Sequence, residues 1–465
     1  MDMSYCRGWA AAILLILLVL TLFGTFSAGA EEMYERTGTA KVLDGVEPFE
    51  LDYDSGNMGL HALASCLKAT GTVSGYYTLV GFSRSAFKFV YDSTEAYEPL
   101  RDLYPVDVLS QAARNSGHPD CHWEMNKSID VVKSLIKGEI DSGRPVIAPF
   151  LKDDAYRGFF IIVGYDYDRH LFYLQGALGP DSAYVSVPIP EYWDGPTASP
   201  EGWARNPVFL LGEAVEELDR RGARERKSVR MGMRLFRGGA LEYGTHPGEG
   251  RYMAVPGPHG AAYGLPAYDV LSWDVENAPI LSESEGGQAV NFGFLWRVDS
   301  QVGQLWHDRF HGAKYVRGIS RFLRFEQRML LGEITENYEK TAVDARTLRR
   351  MFWNPVPDTL ANADDVITYI EDEGAIVYWV GQVESFAPDL ASRGLETHDT
   401  PWGPVVVLDS PSKRLRAKLL VKSIASRERN SLYVMRDIAE HIGRLAPDAL
   451  RQKDETGESQ EGGGE

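Results

Sequence analysis

Residues 158–165 (GFFIIVGY) carry no charge and show no alternation of apolar with polar side chains. A strand made from them buries both faces, so the chain must lay a covering layer on each side of it. The neighbouring sequence agrees with a sheet. Residues 144–150 (RPVIAPF) read as a preceding strand, Asp166-Tyr167-Asp168-Arg169 as a turn, residues 170–175 (HLFYLQ) as the next strand, and residues 183–189 as another. Upstream the period changes from strand to helix. After the turn-forming Asp54-Ser55-Gly56-Asn57, the apolar residues Met58, Leu60, Ala62, Leu63, Cys66 and Leu67 fall at three- and four-residue steps, and Gly71 is placed to close that helix in a left-handed cap. A shorter helix is expected over residues 106–116, ended by Gly117, and a third over 128–141 with Ile129, Val132, Leu135, Ile136 and Ile140 on its apolar face. Helices first and an antiparallel sheet afterwards define an α+β domain.

Downstream the pattern is mainly helical. A charged helix is expected over 213–235 and a long Gly/Pro-rich connection over 238–266. Helices follow over 267–275, 291–331 and 338–352, then strands over 375–380 and 404–408, and a last amphipathic helix through Leu432, Met435, Ile438 and Ile442. The expected organisation is therefore an N-terminal export segment at 1–30, the α+β domain at 31–212, a mainly helical domain at 213–360, a mixed α/β segment at 361–450, and a polar, disordered tail at 451–465. Within the first segment, Arg7 precedes the apolar run 8–26, and Ala28-Gly29-Ala30 matches a signal-peptidase site. Cleavage there gives a secreted or periplasmic protein. The run is also long enough to stay in a bilayer, so an uncleaved membrane anchor is the competing reading, and both place the remainder outside the cytoplasm. The net charge of −18, with no Lys/Arg stripe evident along the sequence, argues against a nucleic-acid partner.

The ordered set of DSG opening an apolar helix, GRPVIAPF after a helix, and FFIIVGYDYDRHLFYLQG resembles the papain-like fold of bacterial leader-peptide-processing cysteine peptidases. It is more closely similar to the N-terminal domain of the butirosin-biosynthesis protein H type, through Gly81-Phe82-Ser83-Arg84-Ser85-Ala86-Phe87 and Gly264-Leu265-Pro266-Ala267-Tyr268. The likeness spans roughly residues 45–330 with gaps. Active members of the papain-like group place a cysteine at the start of the first helix, a histidine at the start of the central strand, and an Asp or Asn on the next strand. The resemblance puts the cysteine position on Ser55, and the histidine position near Arg157-Gly158, where there is no histidine. A serine hydroxyl without an adjacent base is a poor nucleophile. The expectation is accordingly a catalytically degenerate module that binds a peptide or small molecule, with no cofactor and no metal. Its ligand would be met by Asp54, Asn57, Gly158 and the loop tryptophans Trp193 and Trp203.

Other residues invite sharper readings. Cys66 is an alternative nucleophile, with His61 or His118 as base, in an amide- or ester-handling enzyme; the plainer reading is a packed, unreactive cysteine. Cys66 and Cys121 also form a candidate disulfide in an exported chain. His307-Asp308-Arg309-Phe310-His311 sets two imidazoles four apart, as in a zinc-dependent hydrolase, against the plainer reading of a solvated helix face. His118, Cys121 and His122 make a second group of metal-capable side chains, or simply a loop that caps neighbouring helices.

Overall fold

The computed structural model describes residues 39–48, 57–72, 75–93, 107–124, 127–152, 155–175, 185–189, 207–215, scattered positions from 224 to 240, 261–284, 287–320, 325–357, 359–360, 362–380, 387–400 and 403–457. Its helices in chain order are α1 (Met58–Ala69), α2 (Tyr76–Phe82), α3 (Val108–Asn115), α4 (Ile129–Asp141), α5 (Leu265–Asn277), α6 (Phe292–Arg297), α7 (Gly303–Ile319), α8 (Phe325–Phe352), α9 (Ala363–Glu373), α10 (Ala387–Ser392) and α11 (Pro411–Gly457). Together with antiparallel sheets they make the chain α+β. Two compact units divide it, one of residues 1–51, 65–72 and 122–212, the other of 52–64, 73–121 and 213–465.

The first unit holds a seven-stranded sheet. Its central strand, β5 (Ala155–Asp166), lies between β4 (Val146–Lys152) and β6 (Leu171–Gln175), and β7 (Val185–Pro188) extends the β6 edge. On the β4 side the order continues through β8 (Val208–Leu210) to β3 (His122–Glu124). Phe159 to Val163 are buried without interruption, so both faces of β5 are covered, as the uncharged run requires. Beyond the start of β4, the strand β1 (Ala40–Val42) takes over pairing with β5, Val42 opposite Gly164. A Cβ at Gly164 would stand 2.6 Å from the Lys41 carbonyl, so only glycine admits this approach. Val132, Ile136 and Ile140 of α4 are buried, and Lys137 and Asp141 reach the Tyr165 hydroxyl at 2.9 and 2.8 Å.

The second unit is mainly helical. Its core joins Leu271 of α5, Phe294 and Leu295 of α6, Leu305 of α7, Leu348 and Phe352 of α8, and Val421 and Ile424 of α11. The helix expected over 291–331 is not continuous. Between α6 and α7, Val298–Val302 form a π-turn, and α7 ends at Ile319, before α8 runs unbroken from 325 to 352. Inside the π-turn, Gln301 uses its amide on both backbone groups of Asp92, at 2.8 and 3.0 Å. Several features escaped the sequence reading: helices α2 and α10, the hairpin Leu281–Ser284 with Gly287–Val290, and helix α9, which packs Val366 and Ile370 against Tyr378 and Val406 of a four-stranded sheet. The expected disordered tail is also corrected in part, since α11 continues through residue 457. Residues 1–30 lie outside the described residues, among which no helix is long and apolar enough to cross a membrane.

Candidate functional site

Asn57 is the residue from which the site is built. It precedes α1, accepts a hydrogen bond from Leu60 N–H on its side-chain oxygen at 2.9 Å, and so caps the helix. The far end closes as expected: Gly71 takes φ 81°, Gly71 N–H bonds the Lys68 carbonyl, and Thr72 N–H bonds that of Leu67, the paired bonds of a Schellman cap. Asn57 also donates its backbone N–H to the Tyr76 hydroxyl at 2.9 Å. That phenol comes from the first residue of α2. Its ring is stacked at 3.9 Å on His61, one turn into α1, and meets His311 of α7 edge-on at 4.7 Å. His311 in turn lies parallel to His307 at 6.3 Å and against Phe310 at 5.2 Å.

A column of aromatic rings therefore stands at the head of α1, half-buried at His61, Tyr76 and His311, with Phe310 and Tyr77 exposed beside it. Close packing of α2 on α7 holds it. A Cβ at Gly81 would fall 2.2 Å from the Tyr315 ring, so α2 approaches α7 at a point that only glycine permits. Burial, then the neighbouring charges of Lys314, His307 and His61, lowers the His311 pKa to about 3. At neutral pH this imidazole is uncharged. It offers a flat, polarisable face and a hydrogen-bonding nitrogen rather than a proton to transfer.

The other expected residues fall out as follows. Asp54, Ser55, Trp193 and Trp203 lie outside the described residues, and Gly158 pairs with Phe150 in the sheet. Cys66 is fully buried in mid-helix, and burial pushes its thiol well above the ordinary range. Neither Cys66 nor Cys121 is bridged. Cys121 donates to the Ser110 carbonyl, and burial raises its pKa to about 12. His118 is buried after α3, where its N–H bonds the Ala113 carbonyl, while His122 begins β3 beside Glu124. Among the described residues no group of three His, Cys, Asp or Glu side chains is placed to hold a metal ion.

The plainer reading of 307–311 as a solvated face is corrected. His307, Asp308 and Arg309 are all buried, Arg309 being the largest side chain below 2% exposure. Its guanidinium grips Glu428 of α11 through two parallel bonds, Nε to Oε1 at 2.8 Å and Nη2 to Oε2 at 2.9 Å. The remaining Nη1 donates to the Ala86 and Lys88 carbonyls at 3.0 and 3.2 Å, pinning the segment after α2, where Arg84 takes a left-handed φ of 70°. A second buried set, Tyr91 on Asp274 at 2.6 Å with Arg297 at 3.5 Å, fastens strand β2 (Val90–Asp92) to α5. Sequence reasoning missed both, because the partners lie far apart in the chain. The available signal was an arginine and a glutamate embedded in apolar-periodic helices. A narrow cleft between Ser85, Lys88, Gln304 and Asp308 has room for about one water molecule.

No protein-family model matches the chain, and no curated protein matches it.

Proposed function

We propose that this is an exported protein of papain-like fold that binds a peptide or small molecule without turning it over. The reading rests on the resemblance over residues 45–330 and is carried by one observation. Two titratable side chains associated with α1, Cys66 on it and His311 at its head, are shifted in opposite directions away from neutral pH, the thiol upward and the imidazole to about 3. General acid–base and thiolate chemistry need groups that ionise near the working pH. A site with neither still presents the stacked His61–Tyr76 pair and the His311 edge as a contact surface.

One feature favours a second reading. His61 supplies an imidazole one turn into α1, which keeps alive an amide- or ester-handling enzyme with Ser55 as nucleophile. A panel of activated esters and short peptides, assayed on wild type, Ser55→Ala and Tyr76→Ala, separates the two. The binding reading expects no turnover in any of them and peptide affinity weakened about 2- to 10-fold in Tyr76→Ala, the worth of a lost ring contact. Turnover abolished by Ser55→Ala would establish the enzyme instead.

A further inference from the structure

The protein as a whole is acidic, with 66 Asp and Glu against 48 Lys and Arg. Helix α11 departs from that balance. Its inward and flanking cations are neutralised: Arg414 pairs with Asp409, Lys418 with Glu276, and Arg427 with Asp344. One of its three glutamates, Glu428, is turned inward to Arg309. The outward side keeps the positive charge. Leu415, Leu419, Lys422, Arg429, Tyr433 and Arg436 are all exposed, and with Ser426 they follow one another at alternating steps of four and three residues. That spacing lines them up in one seam of about 31 Å. Lys422 and Arg429 make no ion pair among the described residues, and Arg436 reaches the adjacent Asp437 at 3.9 Å and the face of Tyr433. The two leucines are each 56% exposed and the tyrosine 53%.

We propose that this seam is a docking surface for anionic phospholipid, by which the protein lies against a membrane independently of its ligand site. Cations spaced along a helix, leucines at one end and a tyrosine among the charges are what an interfacial helix offers. The charges meet headgroup phosphates, the leucines enter the acyl boundary and the phenol stays at headgroup level. A partner helix is a worse occupant, since a coiled-coil seam with Lys422, Ser426, Arg429 and Arg436 at successive core positions would bury unpaired charge. Two copies meeting through this face would bring cations against cations. Nucleic acid would satisfy the cations and leave both leucines in water.

The test is sedimentation of the full chain with vesicles of phosphatidylcholine, with and without phosphatidylglycerol, comparing variants in the same background so that residues 1–30 contribute equally throughout. Binding should rise with phosphatidylglycerol and fall with salt. Each cation is worth about fivefold in partitioning, so Lys422→Glu with Arg429→Glu should weaken it by at least about 25-fold. Leu415→Ser with Leu419→Ser should weaken it while leaving the salt dependence in place. All four positions are exposed, and unchanged thermal melts confirm that the fold is intact. Binding that ignores phosphatidylglycerol, or that survives charge reversal, overturns the proposal. So does duplex DNA or an acidic protein binding through Lys422 and Arg429 while anionic vesicles do not.

Discussion

Replacing Glu428 by Leu would leave the Arg309 guanidinium buried at 1% exposure with its principal counter-charge gone. The two backbone carbonyls at 3.0 and 3.2 Å and the Tyr338 ring at 5.1 Å remain as partial partners. The cost should therefore sit at the lower end of the range for breaking a buried pair, about 3 kcal/mol. Arg309→Met strands the Glu428 carboxylate and also deprives the Ala86 and Lys88 carbonyls of their donor, for about 4 kcal/mol. Making both changes removes both charges and leaves only the two carbonyls unserved, which should cost about 2 kcal/mol rather than the sum near 7. The coupling energy of the cycle is then about 5 kcal/mol, far beyond the few tenths expected for independent sites. Urea denaturation followed by far-UV circular dichroism on the four proteins measures it, with midpoints compared at a common slope. Additive losses, or a Glu428→Leu protein within about 1 kcal/mol of wild type, would show that the pair contributes little beyond what its surroundings supply.

His311 should make the fold acid-sensitive. Its folded pKa of about 3 lies below the ordinary 6.5, so the unfolded chain takes up a proton first, and stability present above pH 6.5 drains away as pH falls toward 3. The full difference would be worth roughly 5 kcal/mol, and partial exposure with screening by solvent reduces it to about 2 kcal/mol. His311→Gln cannot be protonated, so its stability relative to wild type should improve by that amount between pH 6.5 and 3, read from urea midpoints across the range; parallel pH profiles would refute the assignment. Cys66, buried with its thiol raised, should resist maleimide labelling at neutral pH in the folded protein and react on unfolding, whereas rapid modification of the native state would return it to the list of nucleophiles.

The parts of the fold read directly from the chain are those whose signal is local. The start of α1 after the Asp54–Asn57 stretch, the Gly71 closure, the buried core of the α4 face and the doubly buried β5 each follow from residues a few positions apart. The hairpin at 281–290 was missed because LSES and GQAV carry too little β-branched or aromatic character to outweigh the helices around them. At the site, Asn57 was read as a ligand contact in the turn before the helix, and His61 only as a base for Cys66. The ring column could not be anticipated, since Tyr76 and His311 are far apart in sequence and only the packing of α2 on α7 joins them. The cationic seam of α11 escaped for a related reason. Its members are interleaved with Lys418, Ile424, Glu428 and Met435, so the charge is diluted along the sequence and concentrated only on the helix surface.

The π-turn at Val298–Val302 bears on how such a site arises and is lost. A π-turn holds one residue more than the α-helical ladder needs, and each residue of an α-helix advances the chain by about 100°. Phe294 and Leu295 before the turn, and Leu305 after it, are seated in the same core, so the extra residue is absorbed within the turn. Deleting a single residue from the turn would close it into an ordinary α-helical turn and leave α7 at nearly the same angle, whereas deleting one from the regular helix between Gly303 and His307 would swing the rest of α7 through about 100° and carry Arg309 off Glu428 and His311 off Tyr76 in one step. Substitutions along α7 explore the ring column one side chain at a time. A change of one residue in length is absorbed at the turn and exchanges the whole face only when it falls inside α7, which makes this short segment the place where a related chain could differ in length and still display the same surface at the head of α1.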